Sequence, residues 1–168
     1  MKIILIGFMG SGKSSVGKLL SKKLNLQLIE MDKIILKRSG LNNINEIFTI
    51  DGELRFREIE IEVSKGLKEI EDAIIVSGGG IVVNKIIIDY LKCNGRNIFI
   101  FLDTEFETIG NRLKDDHDRP LFSNIKEVKR LFEIRQPLYK NYADIVIRTD
   151  NKSVENITHE VIKRLGNL

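Results

Sequence analysis

The sequence predicts an α/β domain built on a five-stranded parallel sheet, and three observations predict it. Short β-type runs alternate with longer stretches of helical period. The runs are apolar nearly throughout, as strands covered on both faces must be. The first of them feeds a glycine-rich loop that opens directly into an apolar-periodic helix. At 168 residues the chain suits a single domain spanning 1–168. A chain of this length buries roughly 70% of its unfolded surface and needs no disulfide or metal staple.

The elements follow in order. Residues 3–6 form the first β-run, and Val16, Leu19, Leu20 and Leu24 mark the helix behind the loop. The second run covers 27–29, with a helix beginning near Lys33. Phe56, Ile59, Val63, Leu67 and Ile70 recur at spacings of 3, 4, 4 and 3, which is one helical stripe. The third run is 73–76 and the fourth 97–102, after which Thr104-x-x-Glu107 reads as a capping box. A fifth run at 145–147 precedes a second stripe of Val154, Ile157, Val161, Leu165 and Leu168. The stretch 111–124, with Lys114, Asp115, Asp116, His117, Asp118 and Arg119 before Pro120, reads as a polar loop whose ends extend the flanking helices.

Composition excludes several classes. With 42% hydrophobic and 30% charged residues the chain is globular rather than disordered. Its 27 basic and 24 acidic residues leave a net charge of +3, less than a dedicated nucleic-acid binder carries. The single cysteine, Cys93, forms no intramolecular disulfide and fits a reducing cytosol. No apolar run approaches the ~20 residues of a membrane span. Residues 1–7 lack the apolar core of a signal peptide, so a cytoplasmic location is expected.

Gly7-Phe8-Met9-Gly10-Ser11-Gly12-Lys13-Ser14 fits the phosphate-binding pattern G-x-x-x-x-G-K-[ST] without a mismatch. The glycines let successive N–H groups and a helix N-terminus face phosphate oxygens. Lys13 is placed to bridge the β- and γ-phosphates, and the Ser14 hydroxyl to ligate Mg²⁺. A glycine-rich turn that binds nothing is the alternative, and the strand–loop–helix order weighs against it. Guanine-reading Asn-Lys-x-Asp is absent: Asn84-Lys85 precedes Ile86-Ile87, and Asn151-Lys152 precedes Ser153-Val154. The third run ends in Ser77-Gly78-Gly79-Gly80 rather than the acidic residue of an ATPase motor. A small-molecule kinase remains.

The motifs behind this loop narrow the choice. They are Glu30-Met31-Asp32, Ile47-Phe48 with Asp51-Gly52-Glu53, Phe56-Arg57-x-x-Glu60, the Ser77–Gly80 run, Arg119-Pro120-Leu121 and Arg135-x-Pro137-Leu138-Tyr139. In this order and near this spacing, the chain resembles the shikimate kinase family over essentially its whole length. The resemblance implies a P-loop NTPase three-layer sandwich with a lid at about 111–124 and a substrate-binding segment at about 33–61. It implies transfer of the γ-phosphate of ATP to the 3-hydroxyl of shikimate with Mg²⁺. The expected protein is a cytoplasmic monomer with no nucleic-acid or membrane partner.

Site residues carry over by position. Gly10, Ser11, Gly12, Lys13, Ser14 and Ser15 would hold the nucleotide phosphates. Asp32 would bind the attacking hydroxyl, and Arg57 with Arg135 the substrate carboxylate through planar forks. Gly78, Gly79 and Gly80 would let backbone lie close to the substrate ring. Arg119 would cover the phosphates, Arg112 would lie against adenine, and Glu30 would hold Mg²⁺ through water beside Ser14. Two plainer roles stand beside these: Arg57 in a helix-face ion pair with Glu53, Glu58 or Glu60, and Asp32 as a helix N-cap worth about 1 kcal/mol. The sequence departs from the family at Glu30, where an aspartate is usual, at Val154, where a proline is common, and by one extra residue within 40–47. The rival readings are a gluconate kinase-like enzyme and a nucleotide-binding regulator without catalysis.

Overall fold

Side chains of the first strand, β1 (Lys2–Ile6), are buried along its whole length and point alternately to two faces. Ile4 and Ile6 join one core with Ile75, Phe99 and Phe101. Ile3 and Leu5 join a second with Ile74, Val76, Ile100 and Leu102. A computed structural model of the protein describes residues 1–94, 96–113 and 125–167. It sets β1 between β3 (Ala73–Val76) and β4 (Asn97–Asp103), with β2 (Gln27–Glu30) and β5 (Ile145–Arg148) at the edges. All pairings are parallel, in the order β2-β3-β1-β4-β5. Leu5 lies beside Val76 on one side and Ile100 on the other, so side chains of one face stay in register across the sheet.

Eight α-helices complete the described residues: α1 (Lys13–Leu24), α2 (Met31–Ser39), the short α3 (Ile44–Glu46), α4 (Gly52–Leu67), α5 (Lys85–Lys92), α6 (Phe106–Leu113), α7 (Ile125–Tyr142) and α8 (Val154–Leu165). The first core takes Ile35 of α2, the Phe56–Ile59–Val63–Leu67 stripe of α4, Ile87 and Leu91 of α5, and Tyr139 of α7. The second takes Val16 and Leu20 of α1 with Ile157 and Val161 of α8. These are the outer layers of a three-layer sandwich. Gly17 sets the approach of α1, because a Cβ there would come within 2.5 Å of Val76. Among the described residues no helix is long and apolar enough to cross a membrane.

Several local expectations are corrected. The edge strands are not covered on both faces: Val146 of β5 is 43% exposed, and only Ile29 is fully buried in β2. The α4 stripe ends at Leu67, and Ile70 packs against the core from a turn beyond the helix. Leu168 lies outside the described residues. Thr104 does not cap α6. Its hydroxyl is spent on the buried Thr149 hydroxyl, 2.6 Å away, and the Asp150 carboxylate accepts the Glu105 N–H instead. The expected 33–61 segment is three helical pieces around a wide turn at Ile47–Asp51, where the Gly52 N–H reaches back five residues to the Ile47 carbonyl.

At the N-terminal edge of the sheet Lys2 is almost fully buried. Its ammonium donates to the carbonyls of Leu67, Lys68 and Cys93 at 3.2, 3.0 and 3.3 Å. A cation there answers the partial negative charge at the ends of α4 and α5. Burial lowers its pKa from the ordinary lysine value.

Candidate active site

Every group assigned from the sequence within the described residues sits at the C-terminal edge of the sheet or on helices overhanging it. Ligands of open parallel sheets gather there. The loop after β1 turns through positive φ at Gly10 and Gly12, 74° and 95°, which favour glycine. At Gly10 a Cβ would also meet Leu113 at 2.9 Å. Lys13 lies folded under the loop, its Nζ donating to the carbonyls of Gly7 and Phe8 at 2.8 and 2.9 Å. The N-terminus of α1 has no side-chain cap, and Ser14 and Ser15 are exposed beside it, as at an anion-binding helix end. Ser11 is buried, with no hydrogen-bond partner for its hydroxyl among the described residues.

The loop after β3 is the floor on which the acceptor-side residues meet. A Cβ on Gly78 would lie 3.1 Å from Asp32 Oδ1 and 3.4 Å from Glu60 Oε1. On Gly79 it would lie 3.4 Å from the Met9 nitrogen, and on Gly80 2.9 Å from Arg57 Nη1. The three glycines therefore bring α2, α4 and the phosphate loop together at backbone distance. Asp32 is not an N-cap: Glu30 occupies that position, and Asp32 lies exposed in the first turn of α2. Glu30 itself pairs with Lys33.

Arg57 makes two of the ion pairs weighed for it. Nη1 contacts Glu60 Oε2 at 2.7 Å, and Nη2 contacts Glu53 Oε1 at 3.2 Å, while Glu58 pairs with Arg55. The two partners differ in kind. Glu53 is exposed, whereas Glu60 is buried with its side chain 1% accessible. Burial raises the Glu60 pKa above its ordinary 4.5, with Asp32 adding to the rise, while Arg57 and Arg135 oppose it. A buried partner of this kind holds the guanidinium in one orientation, as a surface pair does not. Arg135, on α7, lies with its Cζ 5.7 Å from the centre of the Phe8 ring.

On the opposite side of the phosphate loop, Arg112 donates to the Gly10 carbonyl and to the Thr149 carbonyl, both at 3.2 Å. It comes from the last turn of α6 and ties the loop to the turn before α8. That turn is closed by a Ser153 N-cap, with Val154 starting the helix.

Comparison with known proteins decides the family. The shikimate kinase family model matches residues 9–166. The chain belongs to the shikimate kinase family. A shikimate kinase from Aquifex aeolicus is 42% identical over 166 residues, covering 98% of this chain and 96% of that one. One from Caldicellulosiruptor bescii is 40% identical, covering 95% and 92%. Among solved structures, shikimate kinase from Acinetobacter baumannii in complex with shikimate superposes with a TM-score of 0.90 at 28% identity, over 99% of this chain and 93% of that one. A gluconokinase from Sinorhizobium meliloti, at 16% identity and a TM-score of 0.69, shares the fold alone.

Of the residues assigned in this shikimate kinase, Gly79 meets the backbone of the phosphate loop, Asp32 and Arg57 meet the flanking Gly78 and Gly80, and Arg135 reaches the loop through Phe8. Arg119 lies outside the described residues, as does most of the expected lid, of which 111–113 are the end of α6. Three residues gain importance only in three dimensions. Glu60 reads from sequence as an ion-pair partner, and its burial is what the structure adds. Phe8 occupies a variable position of its motif, yet it is 1% exposed and packs edge-on against Phe132. Tyr139 belongs to a quoted motif that gives it no task, and it is fully buried.

Proposed function

We propose that this chain transfers the γ-phosphate of ATP to the 3-hydroxyl of shikimate through the residues that converge on Gly78–Gly80. Membership of the family makes it an ATP-dependent shikimate kinase of aromatic amino-acid biosynthesis; the division of labour among its residues is our reading. The observation that carries it is the meeting of Asp32, Arg57 and the phosphate loop on one glycine floor.

Arg57, oriented by Glu60, offers its Glu53-facing edge to the substrate carboxylate, which would displace an exposed and weakly held partner. Arg135 supplies the second fork. Asp32 orients the attacking hydroxyl, which is the larger need in a loose phosphoryl-transfer transition state. Gly10, Ser11, Gly12, Ser14 and Ser15 give the phosphates N–H and hydroxyl donors, with Lys13 as the fixed cation. Arg112 is assigned to adenine and Arg119 to the phosphates on their sequence positions.

The Ser14 hydroxyl and the Glu30 carboxylate are hard oxygen donors that suit Mg²⁺. Among the described residues no three His, Cys, Asp or Glu side chains cluster into a dedicated cage. Mg²⁺ in phosphoryl transfer is held by one or two protein oxygens together with phosphates, so this donor set fits. When bound, the ion would supply positive charge against the charge that develops on the phosphates. Glu30, which is paired with Lys33, would have to give up that contact to serve as a water-mediated metal ligand.

The same reading makes the enzyme a cytoplasmic monomer of one domain, with its substrate segment at about 33–61 and a lid at about 111–124. One cysteine and a net charge of +3 support it. The test is ADP release from ATP and Mg²⁺ with shikimate, gluconate or nucleoside monophosphates as acceptor. Turnover with shikimate alone is expected; turnover independent of shikimate would overturn the assignment.

A further inference from the structure

One buried residue outside the assigned set braces the nucleotide side of the site. Thr149, just beyond β5, is fully buried, and each of its polar groups is engaged. Its N–H donates to the Asp103 carbonyl at 2.9 Å. Its hydroxyl lies 2.6 Å from that of Thr104, which is itself 1% exposed. Its carbonyl accepts from Arg112 Nη2 at 3.2 Å and from the Lys152 N–H at 3.4 Å.

These contacts join three segments. Arg112 Nη1 also donates to the Gly10 carbonyl at 3.2 Å, so one guanidinium spans the phosphate loop and the turn after β5. The same helix presses on the loop at Gly10, where a Cβ would meet Leu113 at 2.9 Å and Ile109 at 3.2 Å. The start of α6 is tied to that turn as well, Thr104 through Thr149 and the Glu105 N–H through Asp150 Oδ1 at 3.0 Å. Both ends of α6 are therefore held to one turn, and its last turn carries the loop. Arg112 is exposed, and an exposed arginine ordinarily keeps much rotamer freedom. Here its acceptors are backbone carbonyls, one of them fixed from the interior.

We propose that Thr149 is a positioning residue for the nucleotide: its hydroxyl, paired with Thr104 in the interior, sets the carbonyl that holds Arg112 against the phosphate loop at Gly10. The inference rests on the assignment of Arg112 to adenine and of the loop to the nucleotide phosphates. The lever is distance. The hydroxyl oxygens lie 2.6 Å apart. Two methyl carbons in contact need about 3.5–4 Å, so losing the pair moves the turn off α6 by roughly 1 Å. The carbonyl under Arg112 moves with it.

The test is Thr149→Val, which keeps the branched shape and puts a methyl in place of the hydroxyl. The Kd for ADP, from calorimetry, and the KM for ATP should each rise about fivefold, with the KM for shikimate unchanged. Thr149→Ser keeps the hydroxyl and should bind ADP as the unaltered enzyme does. Unchanged ADP binding in the valine variant, or no rescue by serine, would overturn the proposal.

A double variant separates positioning from stability, and it serves also should Thr149→Val alone not fold. The single substitution leaves the Thr104 hydroxyl buried and unpaired, which should lower the melting temperature. Adding Thr104→Val removes that orphan, so the melting temperature should recover while ADP binding stays weak. Binding that recovers together with stability would show a merely structural role and sink the proposal. Combined with Arg112→Ala, Thr149→Val should weaken ADP binding no further. Additive effects would show that Thr149 does not act through Arg112. If Arg112→Ala weakens ADP binding while Thr149→Val does not, the inference alone falls. If Arg112→Ala leaves ADP binding unchanged, the adenine assignment beneath it falls too.

Discussion

Two lysines lie buried at opposite ends of the central strand, Lys2 at its start and Lys13 just beyond its end. Both give their ammonium hydrogens to backbone carbonyls. The carbonyls at Lys2 belong to the ends of two helices more than 60 residues away. Those at Lys13 belong to its own loop, five and six residues back, beside exposed serines and an open anion-binding helix end. The difference teaches what makes a buried cation functional. One closes the fold; the other is held beside a place where a stronger anion can enter.

Substitutions at the two ends should separate stability from catalysis. The largest effect is expected for Lys13→Ala, with turnover down by at least about a hundredfold, because charge on the transferring phosphoryl is left uncompensated. Its melting temperature should stay near that of the unaltered enzyme, and a near-normal rate would remove Lys13 from the mechanism. Next comes Arg57→Ala, for which the KM for shikimate should rise by about ten- to a hundredfold, the cost of one charged hydrogen-bonding partner. ATP binding, followed by calorimetry, should persist; its loss would move Arg57 to the nucleotide side.

Lys2→Met probes the other end. It leaves the carbonyls of Leu67, Lys68 and Cys93 without their cation and should cost about 1–3 kcal/mol in urea unfolding. Both Michaelis constants should stay unchanged. A kinetic defect without a stability defect would erase the contrast between the two ends.

The smallest effect concerns pH. Burial raises the folded-state pKa of Glu60 above the ordinary 4.5, so the folded chain binds the proton more tightly than the unfolded one. That contribution to stability is fully present below 4.5 and is lost as pH rises through the folded value. Glu60→Gln removes this slope. Urea melts from about pH 4 to pH 8 should show the glutamine variant gaining on the unaltered chain as pH increases. The opposite trend would mean that Arg57 outweighs burial.

Much of this was legible before the fold was known, and the boundary is instructive. The five strands read correctly because a fully buried β-run is apolar over consecutive residues, which needs no partner to be seen. The edge misread only in part: Ile145 and Ile147 are core as they look, whereas Val146, on the opposite face of β5, is 43% exposed. Thr104 fits a capping pattern locally, but a buried hydroxyl from β5's far end was the better partner.

The site divides along the same line. Its phosphate loop is contiguous, and its chemistry resides in backbone N–H groups that glycines expose, so eight consecutive residues specify it. Motif order pointed to Asp32, Arg57, Gly78–Gly80 and Arg135 as a set. Tertiary structure alone decided that the middle glycine carbonyl meets Tyr139, that Glu60 is buried against Arg57, and that Phe8 lies under Arg135. Those contacts join segments brought together by sheet order and helix packing. Burial and charge compensation are properties of the assembled edge, and no local pattern of residue types encodes them.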